Sequence, residues 1–390
     1  LAGTGQYTLT EQSGQSSILG HNTNFHGDFE VGGNHALTIG EVDSLGVDIE
    51  GHNTNVTLAE DSSELVMSGV SGNFTTDIAG SGTVSFVADN KATADVIINT
   101  SDLAGFTGNY AIDAGSMLTL VNNQTDWNFS TEVSGGENGN GTLVFQGTGD
   151  FTFANANQSD SFAGGTYVFD GLTVAVGNGN ANELNLQKTN GVFDQGSSLV
   201  VDEHGATIGG LALDGGRVEF TASYTPGETA YEGSLTSTDF TVGEAGGTVS
   251  INVDQGVNPD FGEGNESLTM TDGDIFDEQN VGSQVTLISS TAGTGSITDG
   301  EVGNLTLDVL VWDENSQSYV DAEEKSATVS ILSGDLGEEV ADGTYGFKLV
   351  AGNNESSLDL AYGLTNIAIY DGKTLELTGV EGQDINPTIN

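Results

Sequence analysis

No cysteine occurs anywhere in the 390 residues. A chain without thiols has nothing to cross-link prematurely while it crosses an oxidising compartment, so the composition suits an exported protein. Proline is almost as scarce. Pro226, Pro259 and Pro387 are the full set, which excludes both collagen and proline-rich disorder. Six basic residues (Lys91, Lys188, Arg217, Lys325, Lys348 and Lys373) stand against 57 acidic ones, so the net charge is 6 − 57 = −51. A field of that sign repels nucleic acid, anionic membranes and sulfated polysaccharides, and no nucleic-acid partner is expected. No run approaches the ~18 consecutive apolar residues of a spanning helix. No basic-then-apolar segment opens the chain, so any signal peptide or anchor is expected outside this sequence.

Helical periodicity is also in short supply. Few windows place apolar residues at i, i+3, i+4 and i+7, and the capping signals lead into nothing helical. Period two dominates instead, in Val84-Ser85-Phe86, Leu143-Val144-Phe145, Phe151-Thr152-Phe153, Tyr167-Val168-Phe169, Leu172 to Val176, Val218-Glu219-Phe220 and Val249 to Val253. Gly, Asn or Asp separates each short run from the next, which marks turns. With 58 glycines and 36% apolar residues, the chain reads as a folded all-β protein with a long, thin core.

Whole phrases recur. NFHGDFEVGGNHALTI (24–39) and GFTGNYAIDAGSMLTL (105–120) align at a spacing of 81, pairing Phe25 with Phe106, Gly27 with Gly108, Phe29 with Tyr110 and Leu37 with Leu118. Gly-His-Asn-Thr-Asn occurs at 20–24 and 51–55, and Gly-Thr-aliphatic-x-Phe at 82–86 and 141–145. Recurrent strand–turn phrases at uneven spacing predict a β-solenoid in which like side chains pile up at the ~4.8 Å strand spacing. On that reading Phe25 and Phe106 hold equivalent inward positions three or four coils apart. A β-sandwich has similar short strands, but 390 residues would need several such domains, and no linker divides the chain into units of about 100 residues. Residues 1–255 are expected to form regular coils. Residues 256–390, which open on an acidic loop (258–280), are expected to form further coils carrying loop or hairpin insertions.

The pattern Phe-x-Gly-x-Tyr-x-Ile-x-x-Gly-x-x-Leu-x-Leu (106–120) resembles the coil repeat of AIDA-type autotransporter passenger domains of Gram-negative bacteria. GTLVFQGTGDFTFAN (141–155) and SSLVVDEHGATIGGLALDGGRVEF (197–220) are similar to it, and LDLAYGLTNIAIYDGKTLELTG (358–379) looks like the distal coils of the same group. The resemblance implies a right-handed parallel β-helix carried through the outer membrane by a translocator barrel and held at the cell surface. It implies adhesion, autoaggregation or biofilm formation, and with the catalytic motifs named below missing, no enzyme activity is expected. The expected partners are the chain itself and neutral or basic host or matrix ligands.

Chemistry-bearing motifs are sparse. Neither Gly-Asp-Ser-Gly nor a Gly-x-Ser-x-Gly set between strand and helix is present. His204 follows Asp202 and Glu203, but alternation along a strand would turn adjacent side chains to opposite faces, so no carboxylate–histidine hydrogen bond is expected. Glycosidase chemistry needs only two carboxylates, and with 57 acidic residues such pairs carry no information. Trp127 and Trp312 could be sugar platforms, or simply core and rim aromatics. His21, His26, His35 and His52 crowd the first 52 residues, where solvent-facing turn positions are the alternative to a zinc site. Asp272, Asp274, Asp277 and Glu278 are the candidate calcium ligands, because a flexible acidic loop can supply several hard oxygens. A plain solvated loop is the alternative.

Overall fold

The computed structural model of the chain describes residues 3–9, 14–48, 54–90, 92–136, 138–153, 161–176, 186–225, 230–253, 269–271, 283–313, 316–321, 326–332, 338–375 and 388–389. The protein is nearly all β. Among the described residues no helix is long and apolar enough to cross a membrane. Two compact units are present: Leu1–Ser198 with Ile208–Ala212, and Leu199–Thr207 with Leu213–Asn390.

The first unit is built from parallel strands in three sheets. The first sheet has the order β1 (Gln6–Leu9), β3 (Asp28–Val31), β5 (Asn55–Leu58), β8 (Asp77–Gly80), β11 (Gly105–Phe106). The second runs β2 (Gly14–Ile18), β4 (His35–Ile39), β6 (Glu64–Ser68), β9 (Thr83–Val87), β12 (Asn109–Ile112), β15 (Glu132–Gly135). In the third, β7 (Ser71–Asn73), β10 (Asp95–Asn99), β13 (Met117–Val121), β16 (Thr142–Phe153), β17 (Thr166–Val176) and β18 (Leu186–Asp194) pair in that order, and the short β14 (Trp127–Phe129) joins the far end of β16. From β5 to β13 the chain visits first, second and third sheet in unbroken rotation. Paired residues in neighbouring strands are between 19 (Glu64 to Thr83) and 28 (Ala36 to Glu64) positions apart.

Alternation fixes which side of each strand is apolar, and register lines those sides up. Leu37, Leu65, Val84, Tyr110 and Val133 form one buried column through the second sheet. Ile98, Leu120, Phe145, Phe169 and Phe193 form another through the third. Its rings stack at centroid distances of 5.7 Å (Phe145 to Phe169) and 5.1 Å (Phe169 to Phe193). Each such side chain withdrawn from water contributes about 1.5–3 kcal/mol. Two runs that glycine separates in the sequence, 143–145 and 151–153, prove to be parts of one strand. β16 bends between Gln146 and Gly149, where Gly149 takes a positive φ of 92°.

The 81-residue repeat is real as a local device, but its two copies do not stack on each other. Gly27 lies against Gly5 of the neighbouring strand with the Phe25 ring over it. Gly108 lies against Gly82 with the Phe106 ring over it. A β-carbon would come within 2.0 Å of the Gly5 oxygen in one copy and 1.8 Å of the Gly82 oxygen in the other, so both positions require glycine. Phe25–Phe29 and Phe106–Tyr110 then pack at 5.0 and 5.3 Å. Phe29, however, is on the first sheet and Tyr110 on the second. Followed through the register, Phe106 sits over Gly80, Leu58 and Val31, a separation of 106 − 31 = 75 residues. Tyr110 sits over Val84, Leu65 and Leu37, where 110 − 37 = 73. A spacing of 81 overshoots three pairings by six to eight residues, about one strand and its corner. The expectation of equivalent stacked positions is corrected accordingly: the phrase marks a kind of corner, and that corner occurs on two different faces.

The second unit mixes directions. Arg217–Tyr224, Gly247–Val253 and Leu305–Asp313 pair in parallel, as do Leu235–Val242 and Ser283–Ser290. Toward the C-terminal third antiparallel pairing takes over. Leu305–Asp313 forms a hairpin with Ser318–Asp321, and Glu339–Ala351 pairs with both Ser326–Leu332 and Ser357–Ile369. One turn of helix, Asp299–Gly303, begins at a capping box: Thr298 Oγ1 accepts from the Glu301 N–H, and Glu301 Oε2 accepts from the Thr298 N–H at 2.8 Å.

Candidate functional site

The outward face of the second sheet carries a candidate site. Alternation turns Leu65 and Met67 of β6 inward and Glu64, Val66 and Ser68 outward. The register then aligns Ser17, Thr38, Val66, Ser85, Ala111 and Ser134, one residue from each of the six strands. None is larger than valine, so the face has a low floor. The neighbouring outward row holds Gln15, Ala36, Glu64, Thr83, Asn109 and Glu132. Turn residues raise the sides, with Asp61 to Ser63 before β6 and Asp113, Gly136 and Asn138 beyond β12 and β15. The result is a pair of adjoining hollows of about 730 and 530 Å³ that share Ser62 and Glu64. All six strands contribute to their lining.

The polar groups of this groove are held in place. Ser85 Oγ donates to Glu64 Oε1. Asn138 Nδ2 donates to Asp113 Oδ2 at 2.7 Å, and Asp113 is only 2% exposed. The backbone of Gly136 packs so closely on that carboxylate that a β-carbon there would lie 1.5 Å from Asp113 Oδ1. Ser62 Oγ accepts from the Asn34 N–H at 3.0 Å. At the end nearest β2, His35 lines the groove at 6% exposure; its Nε2 is hydrogen-bonded to Ser16 Oγ at 3.0 Å and its buried Nδ1 has no partner. No lysine or arginine lines either hollow. The groove thus offers hydroxyl donors and carboxylate and amide acceptors over a shallow surface, and it carries negative charge. A separate hollow of about 790 Å³ in the second unit is lined by Leu305, Leu307, Phe347 and Lys348 among others.

The residues singled out in the sequence scatter. Asp272, Asp274, Asp277 and Glu278 lie outside the described residues, as does His52. Among the described residues no three His, Asp or Glu side chains converge to hold a metal ion. The other N-terminal histidines have separate roles. His21 is exposed and bonds through Nδ1 to Asp43 at 2.7 Å; that hydrogen bond, the Asp43 charge and then Glu41 hold its pKa above the ordinary 6.5. His26 Nδ1 bonds to the Val47 carbonyl at 2.6 Å. His35 opens β4 and is buried, so the solvent-facing expectation is corrected for it.

The expectation for His204 is corrected as well. Its Nδ1 lies 3.2 Å from Asp202 Oδ2, and its N–H donates to Asp202 Oδ1 at 2.9 Å. These residues form a turn rather than a strand, so the alternation rule does not apply to them. Trp127 is a core residue, 8% exposed and edge-on to Phe145 and Phe151 at 5.3 and 5.4 Å. Trp312 is 44% exposed and packs on Tyr319, its cross-strand partner in the hairpin. Arg217 donates to Asp308 at 2.9 Å. The groove itself was missed. Its signal in the sequence is a small outward residue at the centre of six strands, legible only once register is known.

No family model matches the chain, and no solved structure matches it. Among curated proteins it is similar to the uncharacterized protein YuaQ of Escherichia coli (strain K12), with 24% identity over 267 residues. That match covers 67% of this chain and 18% of the relative, so the chain spans less than a fifth of that protein's length.

Proposed function

We propose that this chain is an extracellular binding scaffold: a right-handed parallel β-helix of the autotransporter-passenger kind. On this reading it is displayed on a bacterial surface by a translocator barrel and mediates adhesion, autoaggregation or biofilm formation. The observation that carries the reading is the rotation of β5 to β13 through three parallel sheets with continuous apolar columns inside. A chain that returns to the same face every 19 to 28 residues winds a coil, and a coil presents long, repetitive polar faces to its surroundings. Similarity to a protein of a Gram-negative bacterium and the lack of thiols agree with export. Contacts along such a face are individually weak, and many copies on one cell multiply them by avidity. The partners are a second copy of the chain on another cell, or neutral or basic matrix ligands.

Charge sets a condition on self-association. Two molecules each carrying −51 repel, and the repulsion is screened beyond a Debye length of ~8 Å at physiological ionic strength. Cells displaying the chain through a translocator barrel should settle faster than cells displaying the barrel alone, and settling or matrix adherence should strengthen with added salt. Displayed chain that promotes neither settling nor adherence at any salt concentration overturns the reading.

A further inference from the structure

We infer that the groove across the second sheet binds a neutral, linear polysaccharide laid perpendicular to the strands, an inference that rests on the reading of this chain as an extracellular binding scaffold. Three features of the groove specify that ligand class. The first is repeat length. The six strands span five strand spacings, about 24 Å, and a pyranose unit advances a glycan by about one such spacing, ~5 Å. Each sugar would meet the side chains of one strand. An extended peptide repeats every ~7 Å over two residues and would fall out of step. It would also gain nothing from backbone pairing, because the interior strands of this sheet already pair on both edges.

The second feature is the character of the lining. Glu64 and Asn138 present oxygen and nitrogen atoms that suit hydroxyl groups, and the buried Ser85 and Asp113 beneath them hold each in orientation through a hydrogen bond. An acceptor oriented in advance loses less freedom on binding. The floor of Val66, Ser85 and Ala111 is low enough for a flat ring to approach the sheet. The third feature is charge. Asp61, Glu64 and Asp113 line the groove without a lysine or arginine, and that disfavours uronates and sulfated sugars while leaving uncharged ones acceptable.

The experiment uses the full chain and uncharged oligosaccharides of two to six units: β-1,4-linked glucose, β-1,4-linked N-acetylglucosamine and α-1,4-linked glucose. Binding is followed by calorimetry and by backbone amide shifts. At least one series should bind with an affinity that rises at least tenfold from two units to six and is unchanged by salt. Ala111→Trp, which fills the floor while leaving the inward face alone, should abolish binding. Glu64→Gln, a near-isosteric change that keeps the fold, should weaken it about tenfold, the loss expected for a hydrogen bond to a charged acceptor. Trp312→Ala, in the other unit, should leave it unchanged. The inference is overturned if no series binds at millimolar concentration. It is overturned equally if binding survives Ala111→Trp in a variant with a native spectrum, or if hexa-arginine occupies the groove with salt-sensitive affinity while the glycans do not. The two readings fail separately. Displayed cells that settle with Ala111→Trp as with the native chain, alongside purified protein that ignores all glycans, sink the groove and spare the scaffold. Glycan binding by purified protein whose displayed form never adheres does the reverse.

Discussion

Residues 55–146 and the described part of residues 305–369 are both built mainly from strands and the turns between them, yet they solve the pairing problem in opposite ways. In the first, neighbours in a sheet are 19 to 28 residues apart in sequence and run parallel. In the second, the long strands Glu339–Ala351 and Ser357–Ile369 are joined by residues 352–356 and run antiparallel, and Leu305–Asp313 folds back on Ser318–Asp321 in the same way. Side chains alternate cleanly in the first, as along Glu64–Ser68, whereas Leu358 to Leu364 of the second are buried without a break. Connection length decides direction: a few residues can only reverse the chain, whereas a parallel neighbour requires the chain to travel out and back. The parallel region therefore depends on columns of matched apolar residues drawn from distant parts of the chain, and the antiparallel region on local cross-strand pairs. Perturbations should separate them.

The largest separation is expected from the aromatic column. Phe145→Ala leaves a void between Leu120 and Phe169 and should destabilise the first unit by about 3–5 kcal/mol. Trp312→Ala, at an exposed hairpin position, should cost under about 1 kcal/mol. The two tryptophans lie in different units, so Trp312→Phe leaves Trp127 as the fluorescent reporter of the first during urea unfolding. Equal shifts from both substitutions would show that the columns contribute no special stability.

Glycine substitutions come next. Gly108→Ala drives a β-carbon against the Gly82 carbonyl and should cost about 2 kcal/mol or more. Gly303→Ala meets nothing within 4 Å and should change stability by less than about 1 kcal/mol. Thermal midpoints of the two variants test the contrast, and a tolerated Gly108→Ala would disprove the close strand approach.

The smallest effects are electrostatic and opposite in sign. Asp43 raises the pKa of His21, so that contact stabilises the fold below the ordinary 6.5 and fades as pH rises through the higher folded value. Lys373, 2.7 Å from Glu338, lowers the carboxyl pKa, so that contact stabilises above the ordinary 4.5 and fades as pH falls through the lower folded value. Both sites are solvent-exposed, so the shifts should shrink in high salt. By NMR titration, Asp43→Asn should move His21 most of the way back toward its ordinary value, with Glu41 still raising it, and Lys373→Met should move Glu338 back toward its own. A titration unmoved by either change removes the assigned cause.

Much of this fold was legible before any coordinates. The runs 84–86, 143–145, 167–169, 218–220 and 249–253 are all strands, with the inward residues that alternation assigns. The glycine and phenylalanine of the repeated phrase make the same corner twice. The face that each corner occupies was not legible, because unequal connections let the phrase slip by one strand between copies. The Asp202–His204 contact was hidden because it belongs to a turn, where alternation carries no information. The groove was hidden for a different reason: Ser85 and Ala111 are unremarkable alone and become a floor only beside Val66 and Ser134.

The sequence by itself determined that this chain is β, that its surface is strongly acidic, and where glycine must stand for strands to approach closely. These follow from side-chain period, ionisation and backbone sterics, all of which act within a few residues. Only the tertiary structure decided which strands become neighbours and which small side chains line up into a groove. In the parallel region register is a relation between residues 19 to 28 positions apart, fixed by the joint packing of every inward column, and no local stretch contains it.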